Sequence, residues 1–439
     1  MKSPLKPLVL AVTLALAGLS VAQTTAPSTA EQNPLARNQN PLAGGSNPLG
    51  SGGVGQQPAQ PGAQQLLPWQ KVGVRLSYYM SDSVSPGAGT TLTPQANGKW
   101  TDPQTGKTYG EKELRGSGGV AIISCDIVGI EGDSMGVAVT GYLATGAQLD
   151  NLVPAPSVNL GRYCKLSGDD DVFRRPEDLA AMQDGITGDG GIEIRVARTR
   201  MTLSGREFNA ISIATQIPGG WTNRIYDLES GILLVRSTMA AGEVTTQVDP
   251  RTGQVTQGGR GKTSSYCQFL GIRDLNLGQP VNVTPTLRQG TQITINGQSI
   301  MPGPMGELRS PYAAQLRVES VGQQSVLVSS KYLQEASMNL WADGNSLLIS
   351  NNSLLGAAIN PGRYANLQPG ATIDRDEFTR TTLTFAGAQN GMVFLTERGQ
   401  TWEITRGYDA RTGLLVLHRK TLAQQGVGNV GEEAQVTYQ

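Results

Sequence analysis

Ser134 has the clearest chemical context in the chain, as the centre of Gly132-Asp133-Ser134-Met135-Gly136. A serine on a tight glycine-flanked turn becomes a nucleophile when a neighbouring base takes its proton. The chain holds a single histidine, His418. A serine hydrolase at Ser134 therefore requires His418, 284 residues further on, within hydrogen-bond reach. Val137-Ala138-Val139-Thr140 after the serine reads as strand, not as the helix such a turn enters, which favours an ordinary hairpin. His418 lies in Leu414–Arg419, on the side of Leu414 and Val416 or at the strand end, and reads as structural. One histidine also excludes every multi-histidine metal centre.

The other chemistry-bearing groups are carboxylates and thiols. Residues 167–191 carry Asp169, Asp170, Asp171, Glu177, Asp178, Asp184 and Asp189 against Arg174 and Arg175. Carboxylates so crowded repel one another unless a cation sits among them, and Ca²⁺ prefers oxygen ligands. Asp169, Asp171, Asp184 and Asp189 are the candidate ligands, although their spacing matches no Ca²⁺ loop; a solvated acidic surface is the plain expectation, with no metal and no cofactor. Three cysteines, Cys125, Cys164 and Cys267, allow one disulfide in three pairings, and Cys164–Cys267 is the one expected. Gly258-Gly259-Arg260-Gly261-Lys262-Thr263 ends like a phosphate-binding loop, but Thr256 stands where that loop needs its first glycine.

The elements that position these groups begin with an export signal. Lys2 and Lys6 precede the apolar run Leu8–Leu19, and Ser20-Val21-Ala22 supplies a small-residue cleavage site, so 1–22 reads as a signal peptide. The run is too short to span a bilayer, and no transmembrane helix is expected later. The expected location is the periplasm or cell surface. Residues 23–66 are rich in Gln, Pro, Gly, Ser and Asn, repeat Asn-Pro-Leu from Asn33, Asn40 and Asn47, and should form a disordered arm. The net charge is zero, with 35 basic and 35 acidic residues, which argues against nucleic acid as a partner.

From Leu67 onward the pattern is β. Val72, Val74, Leu76 and Tyr78 alternate with polar positions, as do Ile192, Ile194 and Val196. The best helical signal is Pro176-Glu177-Asp178-Leu179-Ala180-Ala181-Met182. Asp-x-x-Thr/Ser-Gly recurs at Asp102–Gly106, Asp227–Gly231, Asp249–Gly253 and Asp409–Gly413. Its aspartate accepts backbone hydrogen bonds and its glycine takes the left-handed conformation, so each marks a hairpin tip.

Long-range repeats suggest duplication. Val158–Tyr163 matches Ile359–Tyr364, and Tyr226–Val235 matches Tyr408–Leu417, with Trp221 and Trp402 preceding. Glu113-Leu114-Arg115 echoes Glu307-Leu308-Arg309. These matches imply two antiparallel β domains, 67–272 and 273–439, with residues 167–191 as an insertion in the first. The Trp…Tyr-Asp-x-x-Thr/Ser-Gly-Leu-Leu hairpin resembles one in exported half-barrel domains of the lipoprotein-carrier class. That resemblance implies a curved sheet around an apolar ligand. The expectation is an all-β, non-enzymatic envelope or surface protein that binds or scaffolds a partner. A carrier of an apolar ligand is the first alternative, and a hydrolase at Ser134 the second.

Overall fold

A computed structural model describes residues 65–84, 93–94, 100–101, 108–109, 120–144, 149, 151–154, 160–169, 171–189, 191–217, 219–240, 244–248, 255–259, 263–303, 306–332, 346–424 and 428–439. The expected signal peptide, and all but the last two residues of the 23–66 arm, lie outside them. So do the turns at Asp102–Gly106 and Asp249–Gly253, although the flanking strand residues pair across both, Thr101 with Thr108 and Val248 with Val255. The chain is nearly all antiparallel β, with sheets that do not close into a barrel. Among the described residues no helix is long and apolar enough to cross a membrane.

The chain divides into two compact units. The first takes Tyr79–Val120 and Asp170–Phe269; the second takes Asn40–Tyr78, Ala121–Asp169 and Leu270–Gln439. Residues 121–169 thus group with the C-terminal stretch, across the 67–272 and 273–439 spans read from the sequence.

In the first unit a sheet runs through Gly185–Asp189, Ile192–Leu203, Arg206–Ile217, Gly220–Asp227, Leu233–Ala240 and the start of Thr263–Asp274. One end of one face is covered by the helix Pro176–Ala181, which has proline at its start and Glu177 and Asp178 in its first turn, where the helix dipole favours acids. Its Leu179 packs with Ile211, Ile213, Tyr226 and Leu233 in a small core.

The second unit is built more heavily. Thr372–Asp376, Thr381–Gln389, Met392–Arg398, Trp402–Asp409, Leu415–Gln424, Gly428–Tyr438, Gln292–Gly303, Gly306–Val321, Val326–Tyr332 and Ser346–Ile349 pair in that order. The sheet passes through Leu347 opposite Leu160 into Leu160–Lys165, Ser134–Ala144 and Val120–Glu131. Its core holds Ile295, Val318, Val326, Ile359, Tyr364, Leu395 and Tyr408, all essentially inaccessible.

The hairpins at Asp227 and Asp409 are the same object built twice. Asp227 Oδ2 accepts from Ser230 N and Oγ at 2.9 and 2.6 Å; Asp409 Oδ1 accepts from Thr412 N and Oγ1 at 2.7 and 2.8 Å. Burial pushes the Asp409 carboxyl up, but the bonds from Thr412 outweigh it and hold the group below its ordinary range. Gly231 and Gly413 both have φ of 74°. A Cβ on either would lie 2.0 Å from a carbonyl oxygen, that of Arg174 or of Ile359. Arg174 N donates to Gly231 O as Ile359 N does to Gly413 O; Leu233 N donates to Val172 O as Leu415 N does to Ala357 O.

These bonds correct the alignment of the repeats. Arg174 and Pro176 stand where Ile359 and Pro361 stand, and buried Leu179 answers buried Tyr364. Tyr163 is no counterpart of Tyr364: it lies in a strand opposite Gly136 and its hydroxyl meets Ser325 Oγ at 2.9 Å. From Val172 to Leu233 is 61 residues and from Ala357 to Leu415 is 58, so no long insertion separates the copies. The tryptophans also fail to correspond. Trp221 lies five residues before its Tyr and Trp402 six, and a one-residue offset turns a side chain to the opposite face of a strand.

Candidate functional site

Directly opposed residues in an antiparallel sheet share a face. In the first unit, two rows cross the face that holds Tyr226. One reads Val196, Ile213, Arg224, Arg236, Cys267; the next, further from the helix-covered end, reads Ile194, Thr215, Thr222, Thr238, Ser265. Beyond that, Ile217 faces Gly220, with Ile192 on the same side as Ile194. Arg224, Arg236 and the hydroxyl row are half-buried, while Ile192 and Ile194 are 46 and 38% exposed.

Two arginines directly opposite one another repel. Asp171 Oδ1 lies 2.8 Å from Arg236 and 3.8 Å from Arg224. Arg224 Nε is buried without a hydrogen-bond partner. The face thus carries two half-buried guanidinium groups beside Asp171, a ladder of hydroxyls, and a margin of isoleucines where Asp189 stands opposite Ile192. Such a surface can receive an oxyanion.

The second unit has the same two rows, aligned by the hairpins, with different chemistry. They read Phe385, Leu395, Arg406, His418, Ala434, Gly297 and Leu383, Glu397, Ile404, Lys420, Glu432, Ser299. Glu397, at the position of Thr215, bonds Arg406 at 2.9 Å and accepts from Tyr142 Oη at 2.6 Å. Tyr312 Oη donates to Glu432, lying over Gly297 where a Cβ would strike its ring. Burial raises the Glu432 carboxyl to about 7, against the pull of Tyr312 and Lys420. Burial, then Arg406 and Lys420, hold the His418 imidazole well below its ordinary range, so it is neutral.

Ser134 is not hydrogen-bonded to the histidine that the hydrolase reading required. Ser134 Oγ donates to Asp133 Oδ1 at 2.9 Å, and Gly132, with φ of 60°, makes the turn a hairpin in which Glu131 faces Ser134. His418 Nε2 is buried with no hydrogen-bond partner, and no hydrogen bond joins it to Ser134. The turn holds architecture instead: the Glu131 carboxylate accepts from the backbone N–H groups of Gln323, Gln324 and Ser325, each at 2.9 Å. A glutamate just before a Gly-x-Ser-x-Gly string gave no sequence sign of this.

Three of the four candidate metal ligands stand against arginines. Asp169 bonds Arg162 at 2.8 Å, Asp171 bonds Arg236, and Asp184 bonds Arg198 at 2.5 Å. Asp189 closes its strand opposite Ile192. Among the described residues no group of three His, Cys, Asp or Glu side chains could hold a metal ion. Cys164 and Cys267 are not joined by a disulfide, nor is either to Cys125. Cys164 is buried opposite Met135 in the second unit, and Cys267 opposite Arg236 in the first. Gly258 and Gly259 end a strand paired with Val244–Val248, and the rest of that phosphate-loop-like string, up to Lys262, lies outside the described residues.

No protein-family model matches the chain, and no curated protein matches it. Among solved structures, an AttH candidate from Nitrosomonas europaea aligns over 87% of this chain and 99% of its own, with 10% identity and a TM-score of 0.13. A mutant of the vaccine antigen transferrin binding protein B from Haemophilus parasuis aligns over 86% of this chain and 76% of its own, with 9% identity and a TM-score of 0.14. Likenesses of this size carry no argument about function.

Proposed function

We propose that this chain is an exported, non-enzymatic binding protein whose working surface is the inner face of the first unit's sheet. The observation that supports this is the contrast between equivalent rows. Thr215, Thr222, Thr238 and Ser265 are half-buried, whereas Glu397, Ile404 and Glu432 are buried and Lys420 is half-buried among them. A sheet face that is packed in one copy and left reachable in the other is available for a partner or a ligand. The carrier and scaffold readings meet on this face, and the second unit serves as the rigid copy. The same hairpin bonds support reading the stretches Val172–Leu233 and Ala357–Leu415 as two copies of one β motif.

The test is native mass spectrometry of the protein purified without denaturant from the cells that export it. Added mass is expected on the wild type and on Arg195→Gln, which alters the opposite face. It should vanish in Thr238→Trp, which fills the inner face. Mass retained by Thr238→Trp, or labelling of Ser134 by a fluorophosphonate, would overturn the reading.

A further inference from the structure

We infer that the Lys420 amine is a covalent binding site for a small apolar aldehyde, held as an imine, with the Glu432 carboxyl as its proton donor. Lys420 belongs to the second unit, so this site is separate from the binding face proposed above.

Alternation along Leu415–Gln424 puts Lys420 on the inward side with His418 and Leu422. In the row Leu383, Glu397, Ile404, Lys420, Glu432 and Ser299, Lys420 is half-buried and the others are buried. Glu432 stands directly opposite Lys420 on one neighbouring strand and Ile404 on the other. Directly opposed side chains have Cβ atoms about 5 Å apart. Glu432 accepts from Tyr312 Oη, and among the described residues Lys420 Nζ makes one hydrogen bond, to Pro154 O at 3.4 Å. An amine held by one long bond keeps its lone pair free once it has lost its proton.

The surroundings favour that loss. Burial holds the Lys420 amine below its ordinary range; Glu432 and Glu397 pull it up, and Arg406 adds to the lowering. Tyr142, which donates to Glu397, and the neutral His418 are the other titratable groups on this side. Burial raises the Glu432 carboxyl to about 7, so below that pH it keeps its proton. A neutral amine opposite a protonated carboxyl is the pair that imine formation needs.

The nitrogen lone pair attacks the carbonyl carbon, and the carbonyl oxygen takes a proton from the nitrogen, giving a carbinolamine. Glu432 protonates its hydroxyl, which leaves as water while the C=N bond forms. The product is a protonated imine opposite the Glu432 carboxylate. Trp402, Leu422 and Val430 make the next row on this face. Trp402 and Val430 are buried, and Trp402 Nε1 already donates to Leu152 O at 2.6 Å, so the row offers carbon surface to an apolar substituent.

The probe is butanal with sodium cyanoborohydride, which reduces the imine to a stable amine, applied to the intact protein and read by peptide mass spectrometry. Exposed Lys165 is the internal reference. At pH 6.5 modification of Lys420 should exceed that of Lys165 at least tenfold. The ratio should fall toward pH 9, because an ordinary lysine amine sheds its proton only near pH 10. Urea-unfolded protein should show the two lysines equal. Glu432→Gln should lower the ratio at least fivefold, with a cooperative melting curve showing that the variant is folded. Glyceraldehyde should give a ratio at least fivefold below that of butanal. Equal modification of the two lysines in the folded protein overturns the proposal, as does a preference for Lys420 that survives unfolding. A ratio unchanged in Glu432→Gln overturns the proton donor, and equal ratios for the two aldehydes overturn the apolar class. The pH and unfolding arms need no variant.

Discussion

Arg224 and Arg406 hold the same register relative to two hairpins with the same bonds, yet their surroundings differ throughout. Arg406 is buried, bonded to Glu397 and flanked by a neutral histidine. Arg224 is half-buried beside a second arginine, with its Nε unbonded. The difference shows how one scaffold can be closed or left open by changing a few inward positions. A glutamate, a lysine and a glutamate in the row of Glu397, Lys420 and Glu432 complete the second unit's charge pairing internally. Thr215, Thr238 and Ser265 at the same places in the first unit are uncharged and half-buried.

The comparison breaks most visibly at Glu397. Glu397→Ala leaves Arg406 buried without its counter-ion, and a loss of about 3–5 kcal/mol is expected in denaturant unfolding of the second unit. A loss below ~1 kcal/mol would mean that the closed copy does not depend on its internal carboxylate.

The glycine pair tests whether the hairpins are equivalent. Gly231→Ala and Gly413→Ala each force a side chain into the left-handed conformation and against a carbonyl oxygen. Each should cost more than about 2 kcal/mol, and the two costs should agree within ~1 kcal/mol. Unequal costs would show that the shared bonds do not carry equal strain.

A smaller effect follows pH. Glu432 titrates near 7 in the folded state, above the ordinary carboxyl value of 4.5. Folding therefore favours its protonated form. That contribution is complete below about pH 4.5 and is lost as pH rises through 7, by roughly 1–3 kcal/mol. His418 has the opposite sign, because its lowered value removes stability as pH falls below 6.5. Comparing wild type with Glu432→Gln isolates the first effect: the variant should gain relative stability between pH 4.5 and 7. A constant difference across that range would refute it. The smallest expectation is Ser134→Ala, within about 0.5 kcal/mol of wild type by thermal unfolding, since only the bond to Asp133 is lost.

The amino-acid sequence by itself determined the all-β class, the helix at Pro176 and the paired hairpins at Asp227 and Asp409. Each is a local matter: alternation sets a strand face, proline and acids start a helix, and Asp-x-x-Ser/Thr-Gly closes its own turn through bonds no more than five residues apart. Local likeness misled where it had no such mechanism, as with Val158–Tyr163 and with Trp221. The tertiary structure alone decided which charges meet. Asp171 reaches Arg236 across 65 residues, Glu397 meets Tyr142 across 255, and Glu131 holds a turn some 190 residues away. Strand register fixes these pairings, and a register shift of one residue exchanges the faces of a strand. Arg224 is one arginine among many in the sequence. Only its alignment with Arg406, through strand pairing and the two hairpins, shows one position bonded to Glu397 in one unit and set near Asp171 in the other.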